Sequence, residues 1–99
     1  METPIVLDTG SDLFDMNGNK VGTVTDVVFD PTTLIPEWYE VKLGMLGGHH
    51  LVPAGRVTVA NGHGSVPFDK KLIKSAPGTS SPPLDDEKRT LLDHYRAAA

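Results

Sequence analysis

The sequence contains no cysteine. This absence excludes disulfide bonds and zinc sites built from thiolates, and it fits the reducing interior of a cell. No segment approaches the about 18 consecutive apolar residues that a membrane-spanning helix needs, and the first residues lack the basic-then-apolar pattern of a signal peptide. We therefore expect a cytoplasmic protein without a membrane span.

Positive charge is also scarce. Lysine and arginine total 9 residues against 13 aspartates and glutamates, which gives a formal net charge of −4. Proteins that bind nucleic acids through backbone phosphates usually present a basic face, whereas the one lysine cluster here is Lys70, Lys71 and Lys74. Nucleic-acid binding of useful affinity is therefore not expected.

Residues that could carry chemistry are few and scattered. His49 and His50 are adjacent, and on a strand neighbouring side chains point to opposite faces, so the pair does not easily grip one metal ion. His63 falls on a turn and His94 in the C-terminal segment, with no H-E-x-x-H motif. We therefore assign no metal ligand, cofactor-binding residue or catalytic residue, and we expect a protein that is not an enzyme.

The segment Asp8–Ser11 reads Asp-Thr-Gly-Ser, which is also the signature of aspartic proteases. That chemistry needs two such aspartates sharing a proton, so a single copy could act only as a homodimer. The chain also lacks an apolar-apolar-Gly segment before its C-terminal helix to support the active-site loop. We prefer the simpler interpretation, in which Asp8 and Gly10 form a turn.

Tight turns divide the middle of the chain into short strands. Asn17-Gly18 and Asn61-Gly62 are pairs that favour hairpins, because they tolerate positive φ. A first strand over residues 11–16 should therefore pair with a second strand that starts at Lys20 or Val21. The second strand does not alternate cleanly, which predicts a bulge near Asp26. The segment Asp30–Thr33 forms the next turn, and His49–Pro53 forms the fourth strand.

The third strand has the cleanest alternation. Its two faces carry Tyr39, Val41 and Leu43 on one side, and Trp38, Glu40 and Lys42 on the other. We assign the first set to the core, which leaves Trp38 on the outer face or at the start of the strand. One interpretation is that Trp38 covers the end of the domain or packs under the C-terminal helix. The other is that it contacts a partner protein, since exposed tryptophan is enriched at interface hot spots.

Two helical segments follow the strands. Asp69 should cap a short helix over residues 69–76, with Leu72 and Ile73 turned inward. A linker without apolar content (residues 78–83) then leads to an amphipathic helix (residues 84–99). Its apolar stripe consists of Leu84, Leu91, Leu92 and Tyr95. An isolated helix of this length is marginal in water, so the stripe needs a surface to pack on, in its own subunit or in a second one.

Three segments together resemble the PRC-barrel family: Gly22–Asp30, Trp38–Gly44 and Leu51–Pro53. The resemblance runs from about Leu13 to Pro77. The family is named for the cytoplasmic domain of the photosynthetic reaction-centre H subunit. It also includes the C-terminal domain of a bacterial ribosome-maturation factor and many small stand-alone proteins. The resemblance implies a mainly β fold: a small, strongly bent β-barrel of about six short strands.

The resulting domain plan has four parts: an N-terminal lead-in (residues 1–10), in which residues 5–7 could form a short strand, a PRC-barrel domain (11–77), the linker (78–83) and the C-terminal helix (84–99). The resemblance carries no catalytic residues. We expect a binding or assembly module that contacts proteins, and we favour a homodimer with Trp38, Leu91 and Tyr95 at or near the interface. The alternative is an accessory factor in RNA processing or ribosome maturation that acts through protein contacts.

Overall fold

The computed structural model describes residues 6–96. These form six strands, two α-helices and one turn of 3₁₀ helix. The strands are β1 (Asp12–Phe14), β2 (Lys20–Phe29), β3 (Pro36–Lys42), β4 (His49–Pro53), β5 (Thr58–Ala60) and β6 (His63–Ser65). The 3₁₀ turn is Ala54–Arg56, and the helices are α1 (Lys70–Lys74) and α2 (Asp85–Arg96). The mainly β character and the number of strands agree with the prediction.

The six strands form one open mixed sheet, not the closed barrel expected from the sequence. Their order is β4-β3-β2-β1-β6-β5, and all pairs are antiparallel except β1 with β6. Closure would require the free edges of β4 and β5 to pair. Instead the Tyr95 hydroxyl of α2 donates a hydrogen bond to the Leu51 carbonyl of β4, at 2.6 Å. The helical segments thus contact the strand that a closed barrel would pair with β5.

Both predicted hairpins are present. Asn61 and Gly62 have φ of 54° and 80°, as a two-residue turn with positive φ at both positions requires. The first hairpin differs in detail, because only Gly18 has positive φ (80°), and Asp15 N–H donates to the Asn19 carbonyl at 2.8 Å. It is therefore a three-residue loop that ends in a left-handed glycine.

The pairing of β2 with β3 contains the predicted bulge. Val24 faces Val41 and Asp26 faces Glu40, so Thr25 is the extra residue. Near the start of β2, Gly22 lies so close to β3 that a Cβ on it would collide with the backbone carbonyl of Lys42. A bulge and a close approach of this kind bend a sheet sharply.

One hydrophobic core fills the space inside the bent sheet. It contains the three residues that the alternation assigned to it: Tyr39 and Val41 on β3, and Leu43 directly after that strand, each with at most 3% exposure. Other fully buried members include Leu7, Leu13, Val21, Val24, Val52, Phe68 and Ile73. Leu7 belongs to the lead-in, where Val6 and Leu7 form no strand; Ile5, the other residue of the suggested strand, lies outside the described residues.

The predicted turn at Asp8–Ser11 is confirmed. Gly10 has φ of 93°, and Ser11 N–H donates to the Asp8 carbonyl at 3.1 Å. The turn is joined to the sheet because Gly10 N–H also donates to the Val24 carbonyl at 2.7 Å. Asp8 itself is exposed.

The helices follow the prediction with one correction. The Asp69 carboxylate caps α1 by accepting from Lys71 N–H at 2.7 Å. On α2, Leu91 and Tyr95 are buried, but Leu84 and Leu92 are 62% and 44% exposed. The four-residue stripe was therefore wrong at two positions. Leu84 precedes the first turn of the helix, and Leu92 lies at the rim of the face that packs on the sheet.

Candidate interaction surfaces

Three large apolar side chains are exposed together where β2 turns into β3. Phe29, Leu34 and Ile35 are 47%, 72% and 53% exposed. Phe29 ends β2, and the other two residues precede β3 directly. We call these three residues the hairpin-end surface. Scattered exposed apolar residues are normal, but a contiguous group on one loop is typical of an interaction site.

The backbone at Leu34 is strained. Its φ is 60°, in the left-handed region that costs a residue other than glycine about 1–2 kcal/mol. The loop holds it there, because Leu34 N–H donates to the Asp30 carbonyl at 2.8 Å and Asp30 N–H donates to the Ile35 carbonyl at 2.9 Å. Glycine or asparagine would adopt this backbone conformation with less strain. The leucine therefore lowers the stability of the fold while it presents an apolar side chain to solvent.

The carboxylate of Asp30 fixes the rest of this loop. Its Oδ1 accepts hydrogen bonds from Thr32 N–H at 2.8 Å and Thr33 N–H at 3.0 Å. Those backbone donors, Thr33 first, lower the pKa of Asp30 below its ordinary value. The loop that presents Leu34 is therefore a defined structure, in which the backbone N–H groups of residues 32–35 donate hydrogen bonds.

Two grooves lie near the hairpin-end surface. The first, of about 150 Å³, is lined by Ile35 and by apolar residues of the following strands and turns. The second, of about 500 Å³, lies between β3 and α2 and includes Trp38 and Leu92 in its lining. Pro36 and Gly55 line both grooves, so the two are adjacent. The hairpin-end surface and α2 thus border two neighbouring grooves.

The three residues expected at a partner interface lie inside the chain's own fold. Trp38, Leu91 and Tyr95 are 1%, 0% and 2% exposed. Tyr39, next to Trp38, is also buried, so both faces of the sheet are covered at this point. The exposed position considered for Trp38 is therefore wrong, and its packing beside α2 is the alternative that the structure supports.

An ion pair also ties α2 to the sheet. Lys88 Nζ lies 2.9 Å from Glu37 Oε1, and both side chains are about one-third exposed (30% and 29%). The hydrogen bond to Glu37 raises the pKa of Lys88. Further along the helix, His94 Nε2 lies 2.7 Å from the Leu72 carbonyl. These contacts place α2 on its own subunit.

Asp15 is a buried carboxylate that the sequence did not reveal. It is 4% exposed, and its Oδ1 accepts from Asn17 N–H and Asn19 N–H, both at 2.9 Å. Its Oδ2 accepts from Lys70 N–H at 3.1 Å, which connects the first hairpin to α1. Burial acts to raise the pKa of Asp15, but the backbone donors outweigh it and hold the pKa below its ordinary value. The residue acts as a structural link.

Lysines from three elements meet at the other end of β2. A groove of about 470 Å³ has Lys20, Lys42 and Lys70 in its lining, together with Gly22 and Met45. The sequence pattern does not predict this grouping, because the three lysines are far apart along the chain. Only β-sheet pairing and the packing of α1 bring them together.

The histidines do not converge. His49 is exposed on β4, and His50 Nε2 lies 3.2 Å from the Gly47 carbonyl. Within residues 6–96, no three side chains of His, Asp or Glu lie close enough to hold a metal ion together. In the same part of the chain, no helix is long and apolar enough to cross a membrane.

Comparison with models of protein families gives a match. The sequence model of the PRC-barrel domain matches residues 9–73. The chain belongs to the PRC-barrel family. No curated protein matches the chain. The PRC-barrel match runs from the Asp8–Ser11 turn to Ile73 in α1, so it contains every strand of the sheet.

Helix α2 lies outside the residues matched to the PRC-barrel domain. It nevertheless supplies Leu91 and Tyr95 to the core of that domain. The hairpin-end surface lies within the match and next to the groove that α2 borders. In this PRC-barrel protein the helix therefore completes the domain and shapes one of its surfaces.

Proposed function

We propose that this PRC-barrel protein is a non-catalytic binding module that contacts another protein through its hairpin-end surface. The observation that carries the proposal is the exposed Leu34 in left-handed backbone. Proteins commonly retain strain of this kind at sites of function, where it is offset by the rest of the fold.

The neighbouring grooves support the same proposal. An apolar side chain from a partner could enter the groove beside Ile35, and a larger one could occupy the groove beside Trp38 and Leu92. Binding energy at protein interfaces is concentrated in a few apolar anchors that fill such depressions. Charged groups, Glu37 paired with Lys88, form a polar rim at the second groove.

Affinity capture tests the proposal with a matched pair of variants. Leu34→Asn removes the apolar side chain but keeps a residue that tolerates the left-handed backbone. Met16→Ser is the control, because Met16 is 63% exposed on the opposite hairpin. Wild type and Met16→Ser should retain the same partner proteins, and Leu34→Asn should lose them. Retention of every partner by Leu34→Asn would reject the hairpin-end surface.

A homodimer is one form that this association could take. Light scattering of the wild-type chain at tens of micromolar should then give twice the monomer mass, and Leu34→Asn should give the monomer mass. A wild-type monomer would leave another protein as the partner and would reject the dimer. A dimer that Leu34→Asn does not weaken would place the subunit contact elsewhere.

A further inference from the structure

The lysine groove at the far end of β2 is distinct from the hairpin-end surface. Lys20 begins β2 and Lys42 ends β3, so both lie at the ends of these strands that are remote from the loop carrying Leu34. Lys70 begins α1 and completes the lining from the third side. The volume of about 470 Å³ is within the range of ligand-binding clefts in proteins.

Among residues 6–96, only Lys20 of the three lysines has an ion-pair partner, and the Asp15 carboxylate near Lys70 accepts from its backbone N–H. Lys20 Nζ lies 3.1 Å from Asp12 Oδ1, in an exposed pair that contributes little. Neither Lys42 nor Lys70 has a carboxylate within ion-pair distance among residues 6–96. Three lysines thus line one groove, although the net charge of the chain is −4. Convergent positive charge of this kind attracts anionic groups and repels other cations.

Two exposed apolar side chains beside the lysines indicate which kind of anionic ligand the groove would bind. Met45 lines the groove and is 94% exposed, and Leu46, the next residue, is 100% exposed. Both lie in a turn bounded by Gly44 and Gly48, which have φ of 60° and 70°. Methionine is flexible and adapts to varied apolar partners, which makes it common at peptide-binding surfaces. Two fully exposed apolar side chains add nothing to the binding of a phosphate or a nucleic-acid backbone.

The groove depends on a backbone feature that only glycine allows. Gly22 contributes to its lining, and a Cβ there would collide with the Lys42 carbonyl. Without that close approach, Lys42 could not sit beside Thr23 in the present register. The bend that forms the core therefore also forms the groove.

We infer that this groove binds an acidic segment of a partner protein, one in which large apolar residues stand among carboxylates. The carboxylates pair with Lys42 and Lys70, and the apolar side chains contact Met45 and Leu46. The site does not require the hairpin-end surface. Because the two lie at opposite ends of β2, the protein can hold two partners at once and act as an adapter.

Fluorescence anisotropy with a synthetic peptide tests this inference on the full chain. The probe is a labelled peptide that repeats two glutamates and one leucine. We expect binding that weakens with added salt, and about tenfold weaker binding when glutamine replaces glutamate in the probe, which corresponds to about 1.4 kcal/mol. Absence of binding, or equal binding of the two peptides, would overturn the inference.

Variants of the protein test whether the acidic peptide binds in the lysine groove. Lys42→Gln and Lys70→Gln should each lower the affinity for the acidic peptide by roughly threefold to tenfold, as expected for one lost charge-assisted contact. Met45→Ser should weaken it without changing its salt dependence. Lys74→Gln is the control, because Lys74 is exposed on α1 but does not line the groove. Equal weakening by Lys74→Gln would indicate a non-specific charge effect and reject the groove.

Two further probes test whether the groove prefers a phosphate-containing ligand to the acidic peptide. Inorganic pyrophosphate and a single-stranded RNA oligonucleotide should compete weakly with the peptide, since neither can use Met45. If either binds more tightly than the peptide, the groove is a site for phosphate chemistry and the inference is wrong. Leu34→Asn should leave peptide binding unchanged, so failure at one surface can be distinguished from failure at the other.

Discussion

The Tyr95 hydroxyl donates a hydrogen bond of 2.6 Å to the backbone carbonyl of Leu51, and both residues are buried. The bond links α2 to β4, a strand at the edge of the sheet. Burial raises the pKa of the Tyr95 hydroxyl, which keeps it protonated and able to donate across the physiological range. Edge strands must be paired or covered, and here a helix outside the residues matched to the PRC-barrel domain contacts the edge strand in the same subunit.

Tyr95→Phe should therefore destabilise the fold. It keeps the aromatic ring but leaves the buried Leu51 carbonyl without its donor, which should lower the free energy of unfolding by about 1–3 kcal/mol. Arg89→Ala, an exposed change on the same helix, should stay within about 0.5 kcal/mol of wild type. Chemical denaturation measures both. Equal midpoints for Tyr95→Phe and wild type would contradict the docking of α2.

Truncation after Gly78 removes the whole helix and tests the same docking more severely. It exposes the side of the core that Leu91 and Tyr95 cover, and each fully buried large side chain contributes roughly 1.5–3 kcal/mol. We expect an aggregating domain or one that unfolds at much lower denaturant concentration. A truncated form that is as soluble and as stable as the full chain would show that the helix is dispensable.

Gly22→Ala should be among the most damaging single changes in the sheet. The added methyl group would collide with backbone, the Lys42 carbonyl, which cannot move without breaking the pairing of β2 and β3. Gly78→Ala provides the control, because Gly78 has no atom within 4 Å of its hypothetical Cβ and no positive φ. In thermal unfolding, the midpoint temperature should fall strongly for Gly22→Ala and change little for Gly78→Ala. Matching transitions would reject the close approach.

The buried Asp15 predicts a dependence of stability on pH. Its pKa is lowered in the folded state, so its contribution is complete above the ordinary aspartate pKa of about 3.9 and is lost as pH falls through the lower folded value. Asp15→Asn should lower the free energy of unfolding by about 1–3 kcal/mol at neutral pH. On acidification the variant should lose less stability than wild type does. Asp8→Asn, in an exposed turn, controls for the loss of one negative charge. Parallel curves for Asp15→Asn and wild type would contradict this role.

Leu34→Asn should stabilise the protein. Asparagine tolerates a φ of 60° better than leucine, and Leu34 is 72% exposed, so the change relieves strain while removing little packing. We expect a gain of about 0.5–1 kcal/mol in the free energy of unfolding. Thr33→Asn, one residue earlier in the same loop, should give no such gain, because Thr33 has no positive φ. A loss of stability in Leu34→Asn would show that the leucine packs as part of the fold.

The short-range features of this fold could be predicted from sequence because each rests on local chemistry. Asn61-Gly62 specifies its turn through positive φ, Asp69 specifies a helix cap, and the alternation of Tyr39 and Val41 specifies a buried face. The bulge near Asp26 was also predictable, since alternation breaks there. These signals need no knowledge of the distant chain.

The features that the sequence did not reveal depend on tertiary contacts. The outer position of Trp38 follows from alternation, but its burial depends on where α2 docks. The link from Asp15 to Lys70 joins residues 55 positions apart, and the lysine groove combines three elements. The strain at Leu34 had one available signal, a leucine at the end of a tight loop where glycine or asparagine is usual.

Site-specific photocrosslinking in intact cells tests the proposed function most directly. A photoreactive phenylalanine analogue would replace Leu34 in one protein and Met16, the exposed control, in another. If the hairpin-end surface is a protein-binding site, position 34 should yield discrete crosslinked adducts and position 16 should yield none. The absence of adducts at position 34, or identical adducts at both positions, would contradict the account.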